Sequence, residues 1–179
     1  GLLRHMGQDA PGAVQVVPDG VVPNTAGELT AISEQEIASR IAGIITAPDH
    51  WVDDSNEDGS RFSLAGTQGK FALARIGESW YEPNGRAPST HIVKPGMRLA
   101  SGATNAEAMA VEFVTMRTAR DVGIPTATAE IIDFAGTPAF VSTRFDRVAR
   151  ADEQGSAPPT RIHQEDFCQA LSLYPGRKY

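Results

Sequence analysis

The sequence predicts an α+β fold, a small antiparallel sheet with a long helix packed on it, and three observations carry that prediction. Short β-branched and apolar runs are bounded by Gly, Pro and Asp turn signals. Stretches of helical periodicity open with capping boxes, and the best defined of them stands between two groups of strands. A polar segment with Gly155 and Pro158-Pro159 then separates this unit from the start of another helix.

The composition suits such a fold. Of 179 residues, 41% are hydrophobic and 21% charged, enough apolar material for a packed core in one ordinary domain or two small ones. Twenty-two acidic against sixteen basic residues give no positive surface with which this segment alone would hold nucleic acid or an anionic membrane. Any DNA contact would need a partner. The single cysteine, Cys168, cannot form an internal disulfide, which suits a reducing cytoplasm. No apolar run approaches the ~20 residues that span a bilayer, and nothing resembles a signal peptide. The first residues lack an initiator methionine and Leu173–Tyr179 does not read as a natural terminus, so the chain is expected to be part of a longer protein.

In chain order, Ala13–Val17 is a short apolar run closed by Pro18-Asp19-Gly20 and predicts a strand. Ser33-Glu34-Gln35-Glu36 is a capping box; the helix it opens carries Ile37, Ile41 and Ile44 on one stripe and stops at Ala47-Pro48. The acidic stretch Asp49–Ser60 reads as a connector. Arg61–Ile76 reads as a strand, a glycine-bearing turn and a second strand, and Gly77-Glu78-Ser79 turns the chain back into Trp80-Tyr81. Thr90–Lys94 is a third strand, ended by Pro95-Gly96. Thr104-Asn105-Ala106-Glu107 is a second capping box, after which Met109, Phe113 and Met116 recur at helical spacing until Gly123 and Pro125. That helix should lie against the sheet. Strands over Ala127–Phe134 and Ala139–Phe145 flank a hairpin turn at 135–138, Ala149–Thr160 is a lobe boundary, and a third helix runs from about Gln164 to Leu173.

Several patterns bear on chemistry. Ala65-Gly66-Thr67-Gln68-Gly69-Lys70, between two strands, would let backbone amides approach a phosphate. It matches neither G-x-x-x-x-G-K-[ST] nor G-x-G-x-x-G, so these residues alone favour a plain hairpin turn. Lys94 ends an apolar strand, where an ammonium needs an anion, and Glu112 on the capped helix is an available partner. A strand lysine paired with a helix glutamate is how kinases hold the α and β phosphates; a snorkelling lysine and a solvated glutamate are the plain alternative. Arg144-Phe145-Asp146-Arg147 stands where a hinge would read an adenine edge, or else is a surface-charged strand end. Neither the four histidines nor Cys168 show metal-ligand spacing. His163-Gln164-Glu165-Asp166 reads as the start of the third helix, its carboxylates suiting the positive end of the helix dipole.

Taken jointly, Ser63–Lys70, Thr90–Lys94, Arg144–Arg147 and His163–Gln169 resemble, in order, the signature blocks of the HipA family, bacterial serine/threonine kinases that act as toxins of toxin–antitoxin pairs. Gly7–Gln15 and Gly176–Tyr179 resemble two further blocks, so nearly the whole chain is covered. The resemblance implies a protein-kinase-like lobe: the end of a first subdomain at 1–60, a nucleotide-binding subdomain at 61–148, and at 149–179 a linker and the first helix of a helical C-terminal lobe. It implies that Ala65, Gly66, Thr67, Gln68, Gly69 and Lys70 cover the phosphates of ATP, that Lys94 contacts them with Glu112 as its partner, and that Thr143, Arg144 and Phe145 form the adenine hinge, largely through backbone groups. Ser63 matches the serine that relatives autophosphorylate, which silences them. Thr143 stands where some relatives have glutamate. Gly69 replaces a different residue of some relatives, a change expected to loosen the loop.

The family's aspartate base, in a His-Gly-Asn-x-Asp-like block, and its metal-binding aspartate do not occur in this sequence. The expected activity of the intact protein is therefore transfer of the ATP γ-phosphoryl group, with Mg2+, to a protein serine or threonine such as one on an aminoacyl-tRNA synthetase, with this chain inactive alone. The implied partners are a helix-turn-helix antitoxin resembling HipB, the protein substrate, and DNA only through the antitoxin. Two other readings stand beside it: a non-catalytic module that docks on a partner subunit, and a metal-dependent hydrolase built on His50, Asp53 and Asp54.

Overall fold

The computed structural model describes residues 9–15, 17, 19–22, 27–46, 68–98, 104–148 and 159–174. Six strands form one antiparallel sheet: β1 (Gly27–Ile32), β2 (Phe71–Ile76), β3 (Ser79–Gly85), β4 (His91–Pro95), β7 (Ala129–Phe134) and β8 (Thr137–Thr143), in the order β1-β3-β2-β4-β8-β7. Two short ribbons accompany it. One joins β5 (Met97–Arg98) to β6 (Thr104–Asn105); the other joins β9 (Arg147–Val148) to β10 (Thr160–Arg161). Three helices complete the described chain: α1 (Glu34–Thr46), α2 (Ala106–Asp121) and α3 (Phe167–Ala170).

Helix α1 starts where its capping box requires. The Glu36 carboxylate accepts from the Ser33 amide at 2.8 Å and from its hydroxyl at 2.6 Å, while Ser33 Oγ accepts from the Glu36 amide at 3.3 Å. The helix's apolar stripe then meets the sheet. Ile37 and Ile41 are fully buried against Phe71, Leu73, Val93, Ala139 and Val141, with Trp80 and Phe134 beside them, and Ile44 is partly buried. Burial on this scale contributes on the order of 1.5–3 kcal/mol per large side chain.

Pairing register decides what the opposite face carries. Phe71 lies opposite Val93, and Val93 opposite Val141, on the α1 side; Ala72 opposite Ile92, and Lys94 opposite Phe140, therefore point the other way. Helix α2 packs against β7 and β8, with Met109 buried and Phe113 and Met116 partly so. It ends as its glycine predicts: Gly123 takes φ +86°, and the amides of Gly123 and Ile124 donate to the carbonyls of Arg120 and Ala119 at 2.9 Å each. The β7–β8 turn places both Ala135 (φ +48°) and Gly136 (φ +86°) in left-handed backbone, as a two-residue hairpin loop demands. Asp133 Oδ1 accepts from the Gly136 amide at 2.6 Å and offsets the strain of an alanine there.

Some expectations are corrected. The described residues of Ala13–Val17 carry no strand; this segment follows polar anchors at Asp9 and Gly12. Among the described residues the first strand is instead Gly27–Ile32, an edge strand with mostly exposed side chains and hence no apolar alternation to reveal it. Thr104 and Asn105 form one side of a ribbon, and α2 begins at Ala106. Strand β8 ends at Thr143 rather than Phe145 because Arg144 turns inward. The third helix shrinks to Phe167–Ala170: Asp166 caps it through a box with Gln169, and Ser172 at φ +53° breaks the helical path. His163 and Glu165 lie outside it, paired at 3.6 Å. The proposed connector at 49–60 and the first part of the strand–turn–strand expected over Arg61–Ile76, up to residue 67, lie outside the described residues.

Candidate functional site

Lys94 is the fourth residue of β4, and register sends its side chain to the face that α2 covers only in part. Buried Met109 holds α2 on the sheet, and Glu112, three residues on, shares its side of the helix. The Lys94 ammonium donates to the Glu112 carboxylate and stands 5.3 Å from the centroid of the Phe140 ring. Both partners of this pair are partly exposed, so an incoming anion can compete for the ammonium. On the same face of the sheet, Ala72, Phe140 and Ser142 are buried and Ile92 is partly so.

The described end of the glycine turn reaches the same place. Gln68 Nε2 donates to the Pro95 carbonyl at 2.9 Å, which ties the turn to the end of the strand that carries Lys94. Lys70 follows. Burial lowers its pKa, the charge of Lys94 lowers it further, and Glu112 acts in the opposite sense, so two ammonium groups share one carboxylate's field. Gly69 has a reason other than mobility. A Cβ there would stand 2.3 Å from Ile44 Cγ2 of α1, so the bare backbone admits the helix side chain.

The segment after β8 is buried and ionic, and the expectation of a surface-charged strand end is corrected. Arg144, Asp146 and Arg147 are all buried, together with Asp9 and Ser89. Asp146 accepts from Arg144 Nε at 3.0 Å and Nη2 at 2.8 Å, from the Gly12 amide at 2.7 Å, and pairs with Arg147 at 2.9 Å. Burial alone would raise its pKa; the hydrogen bonds from Arg144 and Gly12 and the two guanidinium charges outweigh it and hold the carboxyl below its ordinary value. Asp9 accepts from the Ser89 amide at 3.0 Å and from its hydroxyl, and pairs with Arg144 at 3.2 Å, Arg147 at 2.9 Å and Arg161 at 2.5 Å. Burial depresses the pKa of Arg147, as does the neighbouring Arg144, against the attraction of Asp9 and Asp146.

This arrangement bears on the expected hinge. The Thr143 amide donates to the Thr128 carbonyl and the Arg144 amide to the Thr90 carbonyl, each at 2.8 Å. Both donors are thus engaged within the protein, and a base edge at this segment would meet its other backbone groups and the Phe145 ring, which is 71% exposed. Sequence reading did not find Asp9, Ser89 or Arg161, because charge pairing between segments more than 130 positions apart leaves no local period. The signal that was there is the recurrence of Asp9 and Arg144–Arg147 inside two separate signature blocks.

Ser63, Ala65, Gly66 and Thr67 lie outside the described residues, as do His50, Asp53 and Asp54. Among the described residues no group of three His, Cys, Asp or Glu side chains could hold a metal ion, and no helix is long and apolar enough to cross a membrane. His91 sits on the α1 face, edge-on to Trp80 at 5.4 Å, with Nδ1 2.8 Å from Thr90 Oγ1. Burial, then the charge of Arg75, pushes its pKa down to about 4.

The HipA-like C-terminal domain family matches residues 62–179. The chain belongs to that family. Among curated relatives of this HipA-like chain, it is 38% identical over 184 residues to Y4mE of Sinorhizobium fredii, which bears a provisional kinase name, covering 99% of this chain and 40% of the relative. It is 32% identical over 179 residues to the serine/threonine-protein kinase toxin HipA of Shewanella oneidensis, covering 99% of this chain and 38% of that protein. A solved complex of Shewanella oneidensis HipA with HipB and operator DNA contains a chain that superposes with a TM-score of 0.71 at 31% identity, covering 99% of this chain and 38% of that one. The HipA-like chain thus spans about two fifths of the length of these relatives, and its fold is the mixed, protein-kinase-like fold of HipA.

Proposed function

We propose that this chain is the nucleotide-binding part of a HipA-like serine/threonine protein kinase. The observation that carries the reading is the Lys94–Glu112 pair, beside the Pro95 carbonyl that anchors the glycine turn through Gln68. A triphosphate entering there would meet an ammonium already oriented by a carboxylate, with Lys70 adding a second positive group. Catalysis of phosphoryl transfer is largely positioning and charge stabilisation, and this chain's share of it is to bind and align. The adenine would lie towards the segment Thr143, Arg144 and Phe145, with 65–70 over the phosphates.

In the reaction the bond from the γ-phosphorus to the β–γ bridging oxygen breaks, a serine or threonine Oγ of the substrate takes the phosphoryl group, and ADP leaves. The hydroxyl proton goes to a base that this sequence does not supply. Magnesium, when bound, would neutralise charge on the phosphates; the described residues offer no ligand set for it, so no metal ligand is assigned to them. An aminoacyl-tRNA synthetase is the proposed substrate class, Ser63 the site of self-inactivation, and a HipB-like helix-turn-helix antitoxin the partner. The HipA–HipB–DNA complex in which the structural relative occurs favours that partner.

The test is to incubate the full-length protein with ATP and magnesium and to follow Ser63 by mass spectrometry and ATP binding by calorimetry. Binding that disappears in Lys94→Met, with phosphate on Ser63 of the wild type, is expected. An unmodified Ser63 together with no ATP binding overturns the assignment.

A further inference from the structure

Asp9 stands far from Lys94 along the sheet, yet it touches more structure than any other described carboxylate. Its two oxygens receive the Ser89 amide and hydroxyl and three guanidinium groups, Arg144, Arg147 and Arg161. Ser89 immediately precedes Thr90, whose carbonyl accepts the Arg144 amide. Arg144 is therefore held twice: its backbone by residue 90, its side chain by Asp9 and by Ser89 Oγ, which accepts from Nη1 at 2.8 Å. The strap around Asp9 is itself clamped. The Ala10 carbonyl accepts from Arg144 and Arg147, the Gly12 carbonyl from Arg147, and the Gly12 amide donates to Asp146. A Cβ on Gly12, which has φ +76°, would come within 3.0 Å of the Gln164 amide nitrogen. Three segments distant in sequence thus meet at one buried point: the strap 9–12, the chain leaving β8, and the chain leading from β10 towards α3.

We propose that Asp9 is a positioning residue of the nucleotide site, setting the path of residues 143–145 at the base end while leaving the phosphate end to Lys94. The proposal rests on the nucleotide-binding reading above and adds a prediction that a merely structural carboxylate would not make. If Asp9 only held the fold together, its removal would weaken all ligands alike or none. If it sets the base end, ligands that carry the base must be weakened selectively.

Three probes separate these cases in the full-length protein: ATP, adenosine and inorganic tripolyphosphate. Asp9→Asn keeps the shape but removes the charge. Ser89→Ala is the milder variant, removing only the hydroxyl bridge between Asp9 and Arg144, and decides the matter if Asp9→Asn does not fold. Affinities are measured on protein whose folded fraction is followed by circular dichroism, with Lys94→Met as the reference. The expected result is a roughly tenfold loss for ATP and adenosine and an unchanged affinity for tripolyphosphate, whereas Lys94→Met should weaken ATP and tripolyphosphate and leave adenosine unchanged. A lower melting temperature with wild-type affinity for all three probes, or an equal loss on all three, overturns the positioning role. A wild type that binds none of the probes overturns the nucleotide reading itself, and this proposal with it.

Discussion

Lys94–Glu112 and the Asp9–Arg144 cluster both lie along β4 and β8, yet their exposures differ tenfold: side chains 22% and 34% exposed in the first, 2% and 3% in the second. The first is a single pair at the solvent margin, with a second lysine close by. The second sets three guanidinium groups against two carboxylates, with backbone donors and acceptors filling the remaining positions. An exposed pair adds little to stability and can exchange its partner for a ligand. A buried network cannot exchange without leaving a charge unpaired, and what it provides is a fixed geometry more than net stability. One chain thus sets an exposed, exchangeable ion pair at one end of a sheet and a fixed ionic network at the other.

Breaking the buried side has the largest expected effect. Asp146→Ala leaves Arg144 and Arg147 short of an anion and should lower unfolding free energy by about 3–5 kcal/mol, read from urea denaturation. Lys94→Met should do the opposite: about a hundredfold loss of ATP affinity by calorimetry, with stability changed by less than about 1 kcal/mol. If Lys94→Met unfolds the protein, the contrast between the two sites is lost. Gly69→Ala should cost about 1–3 kcal/mol through its clash with Ile44. In a double-mutant cycle Ile44→Ala should relieve part of that cost, because the colliding methyl is gone.

Acid should separate the two faces of the sheet. His91 has an ordinary pKa of 6.5 and a folded value of about 4, so between these values the unfolded chain binds the proton that the folded chain refuses. Stability therefore falls as pH drops through that window, and His91→Phe should flatten the fall in melting temperature. The carboxyl of Asp146, held below its ordinary 3.8, contributes stability above that value, which is lost as the pH falls further. The smallest effect expected is that of Ser33→Ala, about 1 kcal/mol from the lost α1 cap, measurable by thermal melting and without consequence for ATP binding.

Local signals were legible where local physics decides. The Ser33–Glu36 box, the isoleucine stripe and the glycine stop at 123 each appear as read, and the hairpin turn expected at 135–138 narrows to 135–136 because Thr137 and Pro138 join the strand. The Ser33 carboxylate partner, Glu36, is even held below its usual pKa, first by the Ser33 hydroxyl and then by the Ser33 amide. Lys94 and Glu112 were legible as a possible pair because a strand lysine and a helix glutamate beside an apolar stripe suggest each other. Edge strand β1 was not, since a strand with little burial carries no alternation, and the two ribbons, two residues to a side, are too short to show a period. The close packing of Gly69 against Ile44 of α1 was not legible either, since it depends on how the helix meets the turn and not on the turn's own residues.

The sequence by itself determined the mixed fold, the capped start of α1, the family resemblance and the Lys94–Glu112 pair as a candidate. Those follow from short-range periodicity, capping and turn chemistry. Only the tertiary structure decided that Arg144, Asp146 and Arg147 face inward, that Asp9 is the anion Arg144 and Arg147 share with Arg161, and that the Thr143 and Arg144 amides are already engaged. The reason is physical: desolvation and pairing of charge depend on which distant segments meet, and nothing in the spacing of residues along the chain encodes that distance.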